Sequence, residues 1–159
     1  LEAARGLDLA APEIAEVQVR THPRWMSVCN QTAPNTGLAA KFSYRTVLAM
    51  QALGLDTAGL QNYSGETCAR PDLQALRNRI HVKADETLSE TEAVVNLLRR
   101  DGQRRESHHD LQSMVELGLR EQRVLDKATS LIGKHRSETA WAMLHENVPC
   151  SAFAKLFAS

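Results

Sequence analysis

A polar, glycine-containing loop that leads into a long apolar segment is the feature that most constrains the fold of this sequence. Pro34 and Gly37 interrupt regular structure, and Asn35 or Thr36 can cap the free N–H groups of a first helical turn. Apolar side chains then recur at helical spacing over residues 38–54, and a glycine closes the segment. The pattern predicts a loop followed by one continuous helix.

One cation, Lys41, lies about one turn inside this helix. A helix N-terminus carries partial positive charge and free N–H donors, so it suits a carboxylate, and a nearby amine is suited to accept a proton. The alternative is that Lys41 simply extends its amine into water. Asn30, Thr36 and Ser43 lie close by and are either hydrogen-bond donors to a substrate or plain caps and loop contacts. The residue pattern leaves these alternatives open.

Short alternating segments predict a small sheet beside this helix. Asp101-Gly102 is a strong hairpin signal, and the very polar segment after it belongs at a sheet edge. A second helix is expected to begin at Asp72, as its N-cap, and to end near Arg79. The predicted strands, about three to five, include residues 14–19, 79–84, 92–98 and 104–111. The predicted fold class is α+β, a small sheet with packed helices followed by a helical tail.

The predicted domain organisation is an α+β domain over residues 1–112 and a helical tail over residues 113–159. Helices are expected over 113–119, 120–132 and 138–144, with Gly133 and Pro149 as breaks. Short helices rarely bury their apolar faces alone, so the tail is expected to dock onto protein outside this sequence. The chain starts at Leu1 rather than methionine, which suggests a fragment or a processed product.

Composition argues against several classes of partner. The chain has 19 basic and 19 acidic residues, so its formal net charge of zero favours neither nucleic acid nor an anionic membrane. No apolar run approaches the length of a membrane span. The three cysteines contain no Cys-x-x-Cys pair, so we expect no metal, iron–sulfur cluster or other cofactor, and free thiols in a reducing cytoplasm.

Two further clusters are interpreted as solvated surface. His108 and His109 are adjacent, so on a strand they point to opposite faces and cannot easily chelate one metal. The arginines that flank the predicted hairpin tip have acidic neighbours, which favours a solvated turn over a phosphate site. Cys29 has no base placed beside it by the sequence, so it is not interpreted as a nucleophile.

Several ordered segments together resemble the MmgE/PrpD family, which includes 2-methylcitrate dehydratase, cis-aconitate decarboxylase and iminodisuccinate epimerase. Residues 36–43, Thr-Gly-Leu-Ala-Ala-Lys-Phe-Ser, are similar to the family signature. Residues 13–19 resemble the strand before it, residues 70–76 a following short helix, and residues 100–102 a later hairpin. The resemblance covers most of this chain but only the C-terminal part of a family member.

The resemblance implies a lid-like domain of a lyase or isomerase that moves a proton next to a carboxylate or imine in a small di- or tricarboxylate. Lys41 is then the catalytic acid or base, and Asn30, Thr36 and Ser43 are candidate substrate-binding residues. Ala39 replaces the usual glutamate, so the carboxylate that would complete a capping box is missing. Phe42 replaces a histidine of some dehydratases and decarboxylases, and this second departure favours an epimerase-like activity.

The partners that the resemblance implies are a missing N-terminal helical domain and, in the full-length protein, a second copy in a homodimer. The chain alone is expected to be inactive. The alternative is a non-catalytic interaction module that binds a partner through its apolar tail and uses Lys41 only structurally.

Overall fold

The computed structural model describes residues 1–158, which divide into two compact units, Leu1–Ser113 and Met114–Ser159. The first unit contains, in chain order, α1 (Glu2–Arg5), β1 (Ile14–Thr21), α2 (Gly37–Lys41), α3 (Tyr44–Ala52), α4 (Gly65–Ala69), α5 (Pro71–Arg77), β2 (Ile80–Ala84), β3 (Glu92–Arg99) and β4 (Arg104–Asp110). The second contains α6 (Leu117–Ile132), α7 (Lys134–His145) and α8 (Cys150–Lys155). The predicted α+β fold with a helical tail is confirmed.

The four strands form one mixed sheet in the order β2-β1-β3-β4. β1 pairs in parallel with β2, and the antiparallel pairs β1–β3 and β3–β4 complete the sheet. The hairpin between β3 and β4 turns through Gly102, whose φ of 86° suits a residue without a Cβ. β4 lies at the sheet edge, as its polar sequence predicts.

One face of the sheet carries the core because side chains alternate along each strand. On β1, Val17, Val19 and Thr21 are buried, and the residues between them are more exposed. Met50 of α3 and Leu73 of α5 are fully buried in the same apolar cluster as Val17 and Val19. Burial of each such large side chain contributes about 1.5–3 kcal/mol, so the helices are held firmly on this face.

The prediction of a single helix over residues 38–54 is wrong, because the structure has two helices there, separated by Phe42 and Ser43. The Ser43 hydroxyl accepts the backbone N–H of Thr46 at 3.2 Å and so caps the start of α3. Serine competes with the helical backbone for hydrogen bonds in this way, which favours caps over helix interiors. Lys41 is therefore the last residue of α2 and immediately precedes the start of α3.

Two other predicted helix boundaries also differ. Asp72 does not cap α5, whose N-cap is Arg70; the Asp72 carboxylate instead pairs with the Arg70 guanidinium at 2.6 Å. Residues 113–119 and 120–132 do not form separate helices. The Glu116 carboxylate accepts the N–H groups of Gly118 and Leu119, so α6 begins after it and runs unbroken.

The second unit exposes much of its apolar surface. α6 and α7 are joined by a hydrogen bond of 2.8 Å between the hydroxyls of Thr129 and Ser137. Its strongly exposed apolar side chains are Met114, Leu117, Leu119, Val124, Leu131, Leu144 and Phe157. Within residues 1–158, every helix is too short or too polar to cross a membrane.

Candidate functional site

Lys41 is positioned by a short helix that begins with a well-formed cap. The hydroxyl oxygen of Thr36 accepts the backbone N–H of Ala39 at 3.2 Å, which confirms Thr36 as the cap of α2. Five residues later the helix ends at Lys41, whose side chain lines a cavity in the first unit. Lys41 therefore lies at the C-terminal end of the short helix α2 and two residues before Ser43, the N-cap of α3.

A short antiparallel contact brings the loop before α2 back against the start of α3. The backbone N–H of Tyr44 donates to the carbonyl of Cys29 at 3.1 Å, and that of Gln31 donates to the carbonyl of Phe42 at 3.1 Å. The contact places Asn30 opposite Ser43 and joins Cys29 to Tyr44, and of these four residues Cys29, Ser43 and Tyr44 line the cavity.

The cavity has a volume of about 390 Å³. Its floor is the core face of the sheet, and its walls come from α1, from the start of α3 and from the turn before β3. The lining residues are Leu1, Glu2, Ala3, Val19, Thr21, Trp25, Cys29, Lys41, Ser43, Tyr44, Val47, Leu48, Glu90, Thr91, Glu92, Ala93, Val95, His109 and Leu111. This volume is at the small end of the range for ligand pockets.

The carboxylates of the cavity wall already have partners within the protein. Glu2 forms an ion pair with Arg5 at 3.0 Å, Glu90 forms one with Arg24 at 2.6 Å, and Glu92 hydrogen-bonds the ring of His108 at 2.8 Å. Hydrogen bonds from Ser89, and then the ring of His108, hold the pKa of Glu92 below its usual range. Glu92 is thus ionised at neutral pH, and its carboxylate is held by Ser89 and His108.

The amine of Lys41 has a different environment. Its Nζ lies 5.7 Å from the centroid of the Tyr63 ring, in a cation–π contact. No ion pair joins it to a carboxylate within residues 1–158. The Tyr63 hydroxyl donates to the carbonyl of Thr57 at 2.8 Å, which anchors the ring. The amine of Lys41, an exposed side chain, is therefore available to an anionic ligand.

Tyr44 adds a neutral hydroxyl to the same wall. Burial raises the pKa of Tyr44, although a hydrogen bond with the side chain of Thr21 acts in the opposite direction. The phenol consequently keeps its proton at neutral pH and can donate a hydrogen bond to a ligand oxygen. Cys29 contacts the same hydroxyl.

Of the four candidate site residues, Lys41 and Ser43 line the cavity, whereas Asn30 and Thr36 do not. The Asn30 side-chain oxygen is buried without a hydrogen-bond partner, and Thr36 is exposed at its cap. Ser43 is buried with its hydroxyl engaged in capping α3.

Other lining residues escaped the sequence analysis. Tyr44 follows Ser43 directly, so its place on the first turn of a helix was a usable signal. Thr21 and His109 carry no such signal, because strand pairing alone brings them into the cavity.

The adjacent histidines diverge as the sequence predicts. His108 pairs with Glu92, while His109 lines the cavity on the core face. In the part of the chain that the structure describes, no group of three or more His, Cys, Asp or Glu side chains is arranged to hold a metal ion.

Comparison with known proteins decides the family. The family model of the MmgE/PrpD C-terminal domain matches residues 1–150 of this chain. The chain belongs to the MmgE/PrpD family. No curated protein gives a significant match to the sequence. The MmgE/PrpD match spans the whole first unit, with the Lys41 cavity, and most of the helical tail.

Proposed function

We propose that this chain is the C-terminal portion of an MmgE/PrpD-type lyase or isomerase that acts on a small di- or tricarboxylate. The observation that carries the proposal is the amine of Lys41. Lys41 lines a cavity whose own carboxylates already have ion-pair or hydrogen-bond partners, and within residues 1–158 no ion pair joins its amine to a carboxylate. A ligand carboxylate is the natural partner for the ammonium form of that amine.

The proposed chemistry is proton transfer at a carbon next to a carboxylate or imine. Lys41 acts as the acid or base at that carbon: its unprotonated amine accepts the proton of the carbon, and its ammonium form returns one. The electron pair moves towards the adjacent carboxylate or imine, and the neutral Tyr44 hydroxyl is available to hydrogen-bond the atom that gains charge. Return of a proton to the opposite face of the carbon gives epimerisation, and loss of a β-hydroxyl group as water, with a proton from a second acid, gives dehydration. No cofactor enters this scheme.

We favour the epimerase-like outcome over dehydration of 2-methylcitrate because Phe42 occupies the position at which some dehydratases and decarboxylases of the family carry a histidine. Asn30, Thr36 and Ser43 stay candidate substrate-binding residues. Ser43 is the best placed of the three, since it lines the cavity.

We further propose that an N-terminal helical domain completes the site and supplies the second acid or base. The exposed apolar side chains of α6 and α7 support a docking role for the tail. The full-length protein is proposed to be a homodimer. The free thiols of Cys29, Cys68 and Cys150 are compatible with a reducing cytoplasm, which is our proposed location.

The test is turnover by the full-length gene product with iminodisuccinate-type and citrate-type substrates. Lys41→Met keeps the length of the side chain but removes its amine, so we expect kcat to fall by about 10²–10⁴-fold. Lys83→Met, on the exposed side of β2, is the matched control and should leave kcat unchanged.

Unchanged turnover in Lys41→Met would refute the proposal. Absence of turnover by the wild-type full-length protein with either substrate class would instead favour the rival function, a non-catalytic module that binds another protein through its tail.

A further inference from the structure

His109 lies at the far end of a single row of residues that crosses the cavity floor. In the strand register, Thr21 of β1 is opposite Ala93 of β3, and Ala93 is opposite His109 of β4. Residues directly opposite one another on paired strands share a face of the sheet. All three line the cavity.

The two ends of this row carry different chemical groups. The Tyr44 hydroxyl bonds to Thr21, and Tyr44 follows Lys41 by three residues. Lys41 therefore lines the cavity near the Thr21 end of the row. The imidazole of His109 stands at the other end. Strands lie about 4.8 Å apart, so two strand spacings separate the ends of the row by about 10 Å.

The floor between the two ends is small and apolar. Ala93 lies in the middle of the row, and the paired Val19 and Val95 form the next inward-facing row. A four- or five-carbon chain with a carboxylate at each end, hydrogen-bonded at both, spans about 10–12 Å. The row therefore matches the length and the polarity of a short dicarboxylate.

The carboxylates near His109 are each held by partners outside the row. Glu90 forms an ion pair with Arg24, and Glu92 hydrogen-bonds His108. The Asp110 carboxylate accepts the Thr91 hydroxyl at 2.7 Å and the backbone N–H of Gln112 at 2.9 Å, so it is occupied outside the row.

We propose that His109 is a specificity-determining residue whose ring N–H binds the second carboxylate of a dicarboxylate. The reacting end of that ligand lies at Lys41. This inference therefore rests on the proposed function, but only for the role of Lys41. His109 gives the site its preference for a diacid over a monoacid, and the span of the row sets the preferred chain length.

The test compares succinate with butyrate, two four-carbon acids that differ in the second carboxylate. Binding of each to the full-length gene product is measured by NMR titration or calorimetry. The wild-type chain should bind succinate about tenfold more tightly than butyrate, the effect of one charged hydrogen bond. His109→Phe should abolish this preference and leave the affinity for butyrate unchanged.

His81→Phe is the matched control, because His81 is exposed on β2 and does not line the cavity. It should retain the full preference, and circular dichroism should show that both variants are folded. Lys41→Met should weaken both acids.

The outcomes separate the two proposals. If His109→Phe keeps the tenfold preference for succinate, or if the wild-type chain shows none, the role of His109 is refuted and that of Lys41 stands. If neither acid binds the wild-type chain, or if Lys41→Met binds both acids as well as wild type does, the proposed carboxylate site itself is refuted.

Discussion

Gly37 is the position at which the smallest change should disturb the site most. A Cβ built on Gly37 would lie 1.9 Å from the carbonyl oxygen of Tyr63, 2.6 Å from its carbonyl carbon and 3.2 Å from the backbone nitrogen of Ser64. These are backbone atoms that no rotamer change can remove. In Gly37→Ala, α2 and the 63–64 segment must therefore separate by about 1.5 Å or more to restore ordinary contact.

The energetic consequence follows from two opposing effects. Overpacking of this kind costs about 1–3 kcal/mol, and the higher helix propensity of alanine offsets at most about 1 kcal/mol. We expect the free energy of unfolding of the first unit to fall by about 1–2 kcal/mol. Because Lys41 lies on α2 and contacts the ring of Tyr63, the same displacement should also weaken succinate binding.

The assay is urea denaturation followed through NMR signals of the first unit, together with the succinate titration. Gly6→Ala is the matched control, since the nearest atom to its added Cβ would be the Ser107 hydroxyl at 3.8 Å, an ordinary contact. It should change stability by less than about 0.5 kcal/mol. Equal stability and equal binding in the two variants would contradict the close approach of α2 to Tyr63.

Two further predictions concern the start of α3 and the acid dependence of the cavity wall. Ser43→Ala removes the cap on the N–H of Thr46 and should lower the unfolding free energy by about 0.5–2 kcal/mol in urea denaturation, whereas unchanged stability would show that the cap is not formed. Ser89, and then His108, lower the folded-state pKa of Glu92. Ionised Glu92 therefore adds to the free energy of unfolding above the ordinary carboxyl pKa of about 4.3, and this stabilisation is lost as the pH falls through and below that value. Glu92→Gln should flatten that part of the pH–stability curve, and parallel curves for variant and wild type would contradict the assignment.

The strands were predictable because their determinants are local. The alternation of Val17, Val19 and their neighbours places β1, and Asp101-Gly102 places the β3–β4 hairpin. The break at Ser43 was missed because apolar spacing continues across it. A serine that caps a new helix is hard to distinguish by pattern from one inside a longer helix.

The candidate site was predictable only where its residues are neighbours in the sequence. The resemblance to the family picked out Lys41 and Ser43, and both line the cavity. Thr21, Ala93 and His109 meet through pairing of strands that are far apart along the chain. Their register depends on the whole sheet, so no local pattern could have placed them together.

The central claim, that the Lys41 amine moves a proton at a substrate carbon, is tested most directly by deuterium exchange. The full-length gene product is incubated in D₂O with an iminodisuccinate-type or citrate-type substrate, and NMR follows deuterium at the carbon beside the carboxylate or imine. The account predicts steady incorporation by wild type and by Lys83→Met, and incorporation at least about 10²-fold slower in Lys41→Met. Incorporation at the wild-type rate in a folded Lys41→Met protein would contradict it.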